Sequence, residues 1–146
     1  MAESTTTNEL RVRLVTPART LVEAVAEAVE LPAKNGYMEV LYGHAPLLSE
    51  LGAGDVRMHG VRGENQAAEQ IFNVNWGFVE VLPDRVTILA NDALRPEEID
   101  VNRANQQLDR GLKQWNEAGE SEEAYDQALA VIAEAESKLA TAQEKA

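Results

Sequence analysis

The apolar positions of this chain keep two different periods, and the change falls near residue 93. From Glu9 the alternation is strict: Leu10, Val12 and Leu14 point one way and Arg11 and Arg13 the other, the period of a half-buried strand. Thr16 and Pro17 end it. Tyr37–Tyr42 and Asp55–His59 are short strands of the same kind. Glu69–Trp76 alternates again, with Phe72, Val74 and Trp76 against Asn73 and Asn75, and Gly77 is expected to interrupt it. Phe78–Leu82 and Arg85–Ala90 follow, joined by Pro83 and Asp84, a pair suited to a hairpin turn. Leu21–Leu31 fits either period: Leu21, Val25 and Ala28 lie on a helical face, while Val25, Val29 and Leu31 fit alternation. Its alanines and glutamates favour helix. Pro32, which cannot donate a backbone hydrogen bond, favours the end of a strand.

Turn chemistry divides these segments. Asn35 and Gly36 predict a tight turn, and Gly43, His44, Ala45 and Pro46 a second corner, because the residue before a proline is pushed out of helical geometry. Glycines at 52, 54, 60 and 63 mark further loops. Met1–Asn8 is polar and threonine-rich and reads as a mobile terminus. Residues 9–92 therefore read as an antiparallel β-sandwich or flattened barrel.

From Ala93 the period is that of a helix. Pro96 suits a first turn, Glu97, Glu98 and Asp100 sit where the helix dipole favours acids, and Val101, Ala104, Leu108, Leu112 and Trp115 form an apolar stripe. Gly111 lies inside that helix and is expected to weaken it. Asn116–Glu120 is a connection and Ser121 an N-cap. Tyr125, Leu129, Ile132, Ala135, Leu139 and Ala142 make a second stripe, so residues 93–146 read as an antiparallel two-helix hairpin.

Composition narrows the function more than the fold. At 146 residues the chain is one ordinary domain or two small ones. It has no cysteine, which permits a reducing compartment, no apolar run of the roughly 18 residues a span needs, and no signal-peptide pattern at its start. The net charge of −12 argues against nucleic acid or an anionic membrane surface as a direct partner and is equally a means of staying soluble. His44 and His59 are the only histidines, and no motif links them to an acid or to each other at ligand spacing, so neither a catalytic nor a metal site is expected.

One set of residues carries a family resemblance. Leu31, Pro32, Gly36, Val40, Leu41, His44, Ala45, Pro46, Leu47, Leu51 and Gly54 resemble the signature of the epsilon subunit of the F-type rotary ATP synthase, called delta in mitochondria. Gly77–Val81 and Val86–Ala93 resemble the hairpin and strand that follow in that family. The chain departs from the pattern at Gly36–Glu39, where many relatives carry Gly-Glu-x-Gly. The resemblance covers Leu10 to about Ala142 and decides Leu21–Leu31 as strand, since sheet context overrides propensity. It implies a sandwich of about ten strands followed by the helical hairpin.

The same resemblance implies a function. It describes a non-catalytic central-stalk subunit, peripheral on the cytoplasmic face of a bacterial plasma membrane, that couples the c-subunit ring to the gamma subunit during proton-driven ATP synthesis. It places Gly36, Gly43, His44 and Pro46 on the rotor-docking face. It makes the hairpin a brake on ATP hydrolysis through the alpha and beta catalytic subunits. Ile99, Asp100, Arg103 and Ala104 resemble a nucleotide-contact motif of some bacterial relatives, with Arg110 further along the same helix. No resident cofactor is implied beyond weak ATP binding there. The residues read by themselves give an N-terminal acid and solvated arginines, and Ser121–Ala146 lacks the arginines that complete such a site. The competing class is a free-standing binding adaptor, a sandwich with a coiled-coil tail.

Overall fold

The computed structural model describes residues 9–62 and 69–145. The terminus Met1–Asn8 and the loop glycine Gly63 lie outside them. Two compact units, residues 1–93 and 94–146, are described separately.

Eight strands, among the described residues, make one sheet that folds over its own core. They are β1 (Leu10–Val15), β2 (Thr20–Ala26), β3 (Ala28–Ala33), β4 (Gly36–Leu41), β5 (Leu47–Leu51), β6 (Gly54–His59), β7 (Glu69–Leu82) and β8 (Arg85–Leu94). The hydrogen-bonded order is β2-β1-β8-β7-β5-β3-β4, with β6 between β3 and β7. β1 and β8 run parallel, with Arg11 beside Arg85 and Leu14 beside Ile88, whereas β1–β2, β3–β4, β3–β5, β3–β6, β5–β7 and β6–β7 are antiparallel. A bridge from Val25 to Arg62 brings the β2 edge back to the continuation of β6. Leu10, Leu14, Leu31, Met58, Phe72 and Ile88 are among the fully buried side chains that fill the interior.

Leu21–Leu31 is strand, in two pieces that break at Glu27. The break lets the first piece pair with β1 and the second with β4 and β6. Leu47–Leu51 is a strand that the pattern of its own residues did not announce. Leu47 and Leu48 are exposed and only Leu51 is buried, so no alternation is visible there.

Gly77 does not end a strand. β7 runs through it for 14 residues and exchanges partners there, pairing with β6 from Glu69 to Val74 and with β5 from Gly77 to Val81. Phe72 and Val74 are buried before the crossing, Val79 and Val81 after it. The buried positions thus shift from even to odd numbers, which a strand of period two achieves only by one irregular step. Trp76 (φ +45°) and Gly77 (φ +145°) supply it. Gly77 also lies against β8, where an added Cβ would stand 1.9 Å from the Leu89 carbonyl oxygen.

In the second unit a 3₁₀ turn, Pro96–Glu98, precedes α1 (Val101–Glu117) and α2 (Glu122–Lys145). Pro96 therefore opens a separate turn, and the helix itself starts at the cap Asp100, whose carboxylate accepts the Arg103 backbone N–H at 3.1 Å. Ser121 Oγ likewise accepts the Ala124 N–H at 3.2 Å. The seam between the helices differs from the expected stripes. Ala104, Gly111 and Ala118, seven residues apart, are buried with Ala128, Ala135 and Thr141, whereas Val101, Leu112, Trp115, Tyr125 and Leu129 are exposed. Gly111 is the reason the backbones can come so close: a Cβ there would lie 2.9 Å from Ile132 Cγ1 and 3.0 Å from Val131 Cγ1. Glycine's cost in helix propensity, about 1 kcal/mol, accompanies a packing position.

Gly77→Ala and Gly36→Ala separate backbone strain from collision. Both glycines have φ that other residues rarely adopt, +145° and +133°, but a Cβ at Gly36 meets nothing within 4 Å. Backbone strain of this sort costs about 1–3 kcal/mol. Urea unfolding of the full chain is expected to show a loss in that range for Gly36→Ala, and a loss at least about 2 kcal/mol larger for Gly77→Ala. Equal losses would mean that the Leu89 carbonyl moves aside freely.

Candidate docking surface

The corner at Gly43–Pro46 is held from two sides. Gly43, in the left-handed region at φ +88°, donates its N–H to the Pro83 carbonyl at 2.7 Å, and His44 donates its backbone N–H to Leu41 at 3.1 Å. The first bond ties the corner to the β7–β8 turn. Asp84 in that turn accepts the Arg11 N–H at 3.0 Å, so β1 joins the same end of the sandwich. His44 Nδ1 lies 2.7 Å from the Ala45 carbonyl oxygen, which orients a half-buried ring along the corner.

Apolar side chains gather on this corner without being buried. Leu41, Tyr42, Leu47 and Leu48 are all exposed, Leu48 by 72%. Leu48 stands opposite Glu80 and Glu50 opposite Phe78 in the β5–β7 ladder, which puts Leu48 and Phe78 on one outward face as diagonal neighbours. Phe78 is 53% exposed. Exposed apolar side chains gathered in this way make the corner a candidate surface for contact with another chain.

Gly36 is elsewhere. It begins β4, and the corner residues Gly43, His44 and Pro46 follow its end, so the six residues of the strand hold the two sites roughly 20 Å apart. Around Gly36 lie the pairs Lys34 N–H to Glu50 carbonyl, 3.0 Å, and Gly52 N–H to Pro32 carbonyl, 2.7 Å. Lys34 and Glu50 also form an exposed ion pair at 3.3 Å. The four sequence candidates thus divide into two sites at opposite ends of one strand.

On the hairpin, Ile99 is half-buried just before the Asp100 cap, and Arg103 and Arg110 are exposed. They stand seven residues apart on α1, about 10 Å along its axis. The Asp100 carboxylate is engaged by the helix backbone. Among the described residues no group of His, Cys, Asp and Glu is arranged to hold a metal, and no helix is long and apolar enough to cross a membrane.

His59 does have acidic partners, which its sequence neighbourhood did not reveal. Its Nε2 lies 2.5 Å from Glu30 Oε2 and its Nδ1 3.0 Å from Glu69 Oε2. Glu69 is its direct partner in the β6–β7 ladder, and Glu30 comes from β3 on the other side. Both bonds are satisfied together when both ring nitrogens carry hydrogen. The signal was present as strand register, which pairs residues 29 and 10 positions away.

Comparison with known proteins agrees with this architecture. The sequence profile described as "ATP synthase, Delta/Epsilon chain, beta-sandwich domain" matches residues 9–96. The ATP synthase epsilon chain of Koribacter versatilis is 46% identical over 73% of this chain and 71% of its own length. That of Solibacter usitatus is 42% identical over 93% of this chain and 97% of its own. A chain of the Euglena gracilis mitochondrial ATP synthase shares the fold, with a TM-score of 0.74 at 20% identity over 96% of this chain and 85% of that one.

His59→Ala leaves Glu30 and Glu69 facing one another across β6. The group is one-third to one-half exposed, so solvent screens it, and the expected loss in urea unfolding is about 1 kcal/mol. Glu69→Gln added to that variant should recover part of the loss, because it removes one of the two opposed charges. No recovery would show that the ring acts through packing alone.

Proposed function

Because this chain belongs to the delta/epsilon family of F-type ATP synthases, as an epsilon chain, we propose that it is the central-stalk subunit joining the gamma shaft to the c-subunit ring. Proton flow turns the ring, the sandwich passes the rotation to gamma, and catalysis takes place on other chains. The subunit itself is non-catalytic and sits peripherally, on the cytoplasmic face of a bacterial plasma membrane. The observation that carries the reading is the division of the docking residues between two ends of β4. A subunit that couples two rotor components needs two separate contacts, and a single adaptor site would need one.

Neither docking end needs to be a source of stability. His44→Ala and Leu48→Glu both fall on exposed or half-exposed positions, where substitutions shift stability by about 0.5 kcal/mol or less. In a pull-down from detergent-solubilised membranes, the wild-type chain is expected to bring gamma and the c ring. Leu48→Glu should bring less of at least one of them, and His44→Ala should weaken the association while the chain melts as the wild type does. Undiminished recovery with both variants would remove the corner from the docking surface. A wild-type chain that brought neither partner would overturn the function.

The hairpin is read as a weak brake and a poor nucleotide site. From Glu120 onward the charges are Glu120, Glu122, Glu123, Asp126, Glu134, Glu136 and Glu144 against Lys138 and Lys145. A tail so charged is repelled by any acidic surface of a partner, at a cost on the order of 1 kcal/mol for each close like-charge contact, screened beyond about 8 Å. Asp100 is occupied as a helix cap and α2 brings no arginine to complete a phosphate contact. Deleting Ser121–Ala146 is therefore expected to change ATP hydrolysis by the isolated complex only slightly. A many-fold rise that persists at high salt would show a tail that inhibits through apolar contacts.

A further inference from the structure

An outward recess on the β1–β2–β8 face, about 400 Å³ in volume, is lined by Arg11, Arg13 and Arg85 together with Glu23, Thr87 and Val25. Arg11 and Arg85 are direct partners across the parallel β1–β8 ladder, so two guanidinium groups leave adjacent strands side by side on one face. Like charges directly opposite each other destabilise a sheet. Arg13 is offset by Glu23 at 3.1 Å, but among the described residues neither Arg11 nor Arg85 forms an ion pair. Asp84 precedes Arg85 and accepts the Arg11 backbone N–H with its backbone carbonyl, while its carboxylate is not among the groups that line the recess. A local excess of two positive charges thus stands on a molecule whose net charge is −12.

We propose that this recess is a binding site for the phosphate dianion of a small soluble phosphomonoester. Three features choose that class. Two unneutralised guanidinium groups match a group carrying about −1.5 to −2 charge better than a single carboxylate, and they offer bidentate N–H donors to its oxygens. Thr87 lines the recess and adds a hydroxyl, while Val25, the partner of Arg11 across β1–β2, gives an apolar wall and the volume leaves room for an organic group beyond the phosphate itself. The overall negative charge of the chain opposes an extended anionic lipid surface more than one small dianion that meets only the arginines, which favours a soluble molecule over a membrane headgroup. None of the four candidate docking residues lines the recess, although Arg11 and Arg85 adjoin the β7–β8 turn to which the Gly43 corner is tied.

The test is titration of the isotope-labelled full chain with inorganic phosphate and with phenyl phosphate in low-salt buffer, followed by amide NMR shifts. Saturable shifts are expected at Arg11–Arg13 and Arg85–Thr87, with a Kd in the range of about 0.1 to 10 mM. Arg11→Gln and Arg85→Gln should each weaken binding about tenfold, the equivalent of one lost charged hydrogen-bonding partner. Between pH 7.5 and about 5.5 binding of phenyl phosphate should weaken as the monoester, whose second pKa is near 6, loses its second charge. Glu23 lines the recess and Asp84 adjoins Arg85 in the chain, and an excess of chloride at the same ionic strength should not reproduce the shifts. The proposal is overturned by shifts that fail to saturate, by shifts that survive both substitutions, or by equal binding of chloride. It is overturned equally if vesicles of anionic phospholipid, or a hexaglutamate peptide, bind the same residues more tightly than phenyl phosphate.

Discussion

A β-strand has a side-chain period of two, and β7 has to serve the core at both of its ends while it exchanges neighbours in the middle. Those demands conflict unless one residue breaks the count. Trp76 and Gly77 break it, and the close passage of the Leu89 carbonyl over Gly77 keeps β8 bonded to the kinked strand. β6 and β5 can then share one edge of β7, which brings β3 against both of them. The folding-over of the sheet depends on that single step, because a straight β7 would turn either Phe72 and Val74 or Val79 and Val81 toward water. Each such side chain contributes roughly 1.5–3 kcal/mol when buried.

What the sequence made legible follows from where its signals were local. The alternation of Leu10, Val12 and Leu14, the Pro83–Asp84 turn and the cap at Ser121 were readable because each rests on neighbours within a few positions, whereas Asp100 was read only as an acid favoured by the helix dipole and proved to be the cap. β5 was not, since a strand with one buried residue shows no period. Gly77 misled for a related reason: a glycine that ends a strand and one that lets a strand change face look alike until the partner at Leu89 is known. Gly43, His44 and Pro46 lie in the corner the sequence placed there and Gly36 opens β4 directly after the turn, but the separation of Gly36 from the other three could not be seen. Adjacency in sequence from Gly36 to Pro46 conceals that an extended strand, the longest conformation a chain adopts, lies between them.

The hairpin reverses a usual expectation about apolar stripes. Its large side chains, Leu112, Trp115, Tyr125 and Leu129, lie outside the seam, with the Trp115 and Tyr125 rings 6.0 Å apart, and its alanines and Gly111 lie within it. Small residues bring two backbones close but remove little surface from water, so the seam gains more from contact than from burial. Packing at that distance is intolerant of size: one methyl group at Gly111 already meets two side chains of α2.

The pairing of strands along the sandwich has a mechanical side. A load applied between the Gly36 end and the Gly43–Pro46 end runs parallel to β4, so it acts on the β3–β4 ladder as shear. Every hydrogen bond of the ladder from Ala28 to Ala33 then resists at once, and separation requires several to break together. A load across the strands would open them one at a time, as a zipper opens. A load along the strand therefore meets the ladder in its stiffest direction.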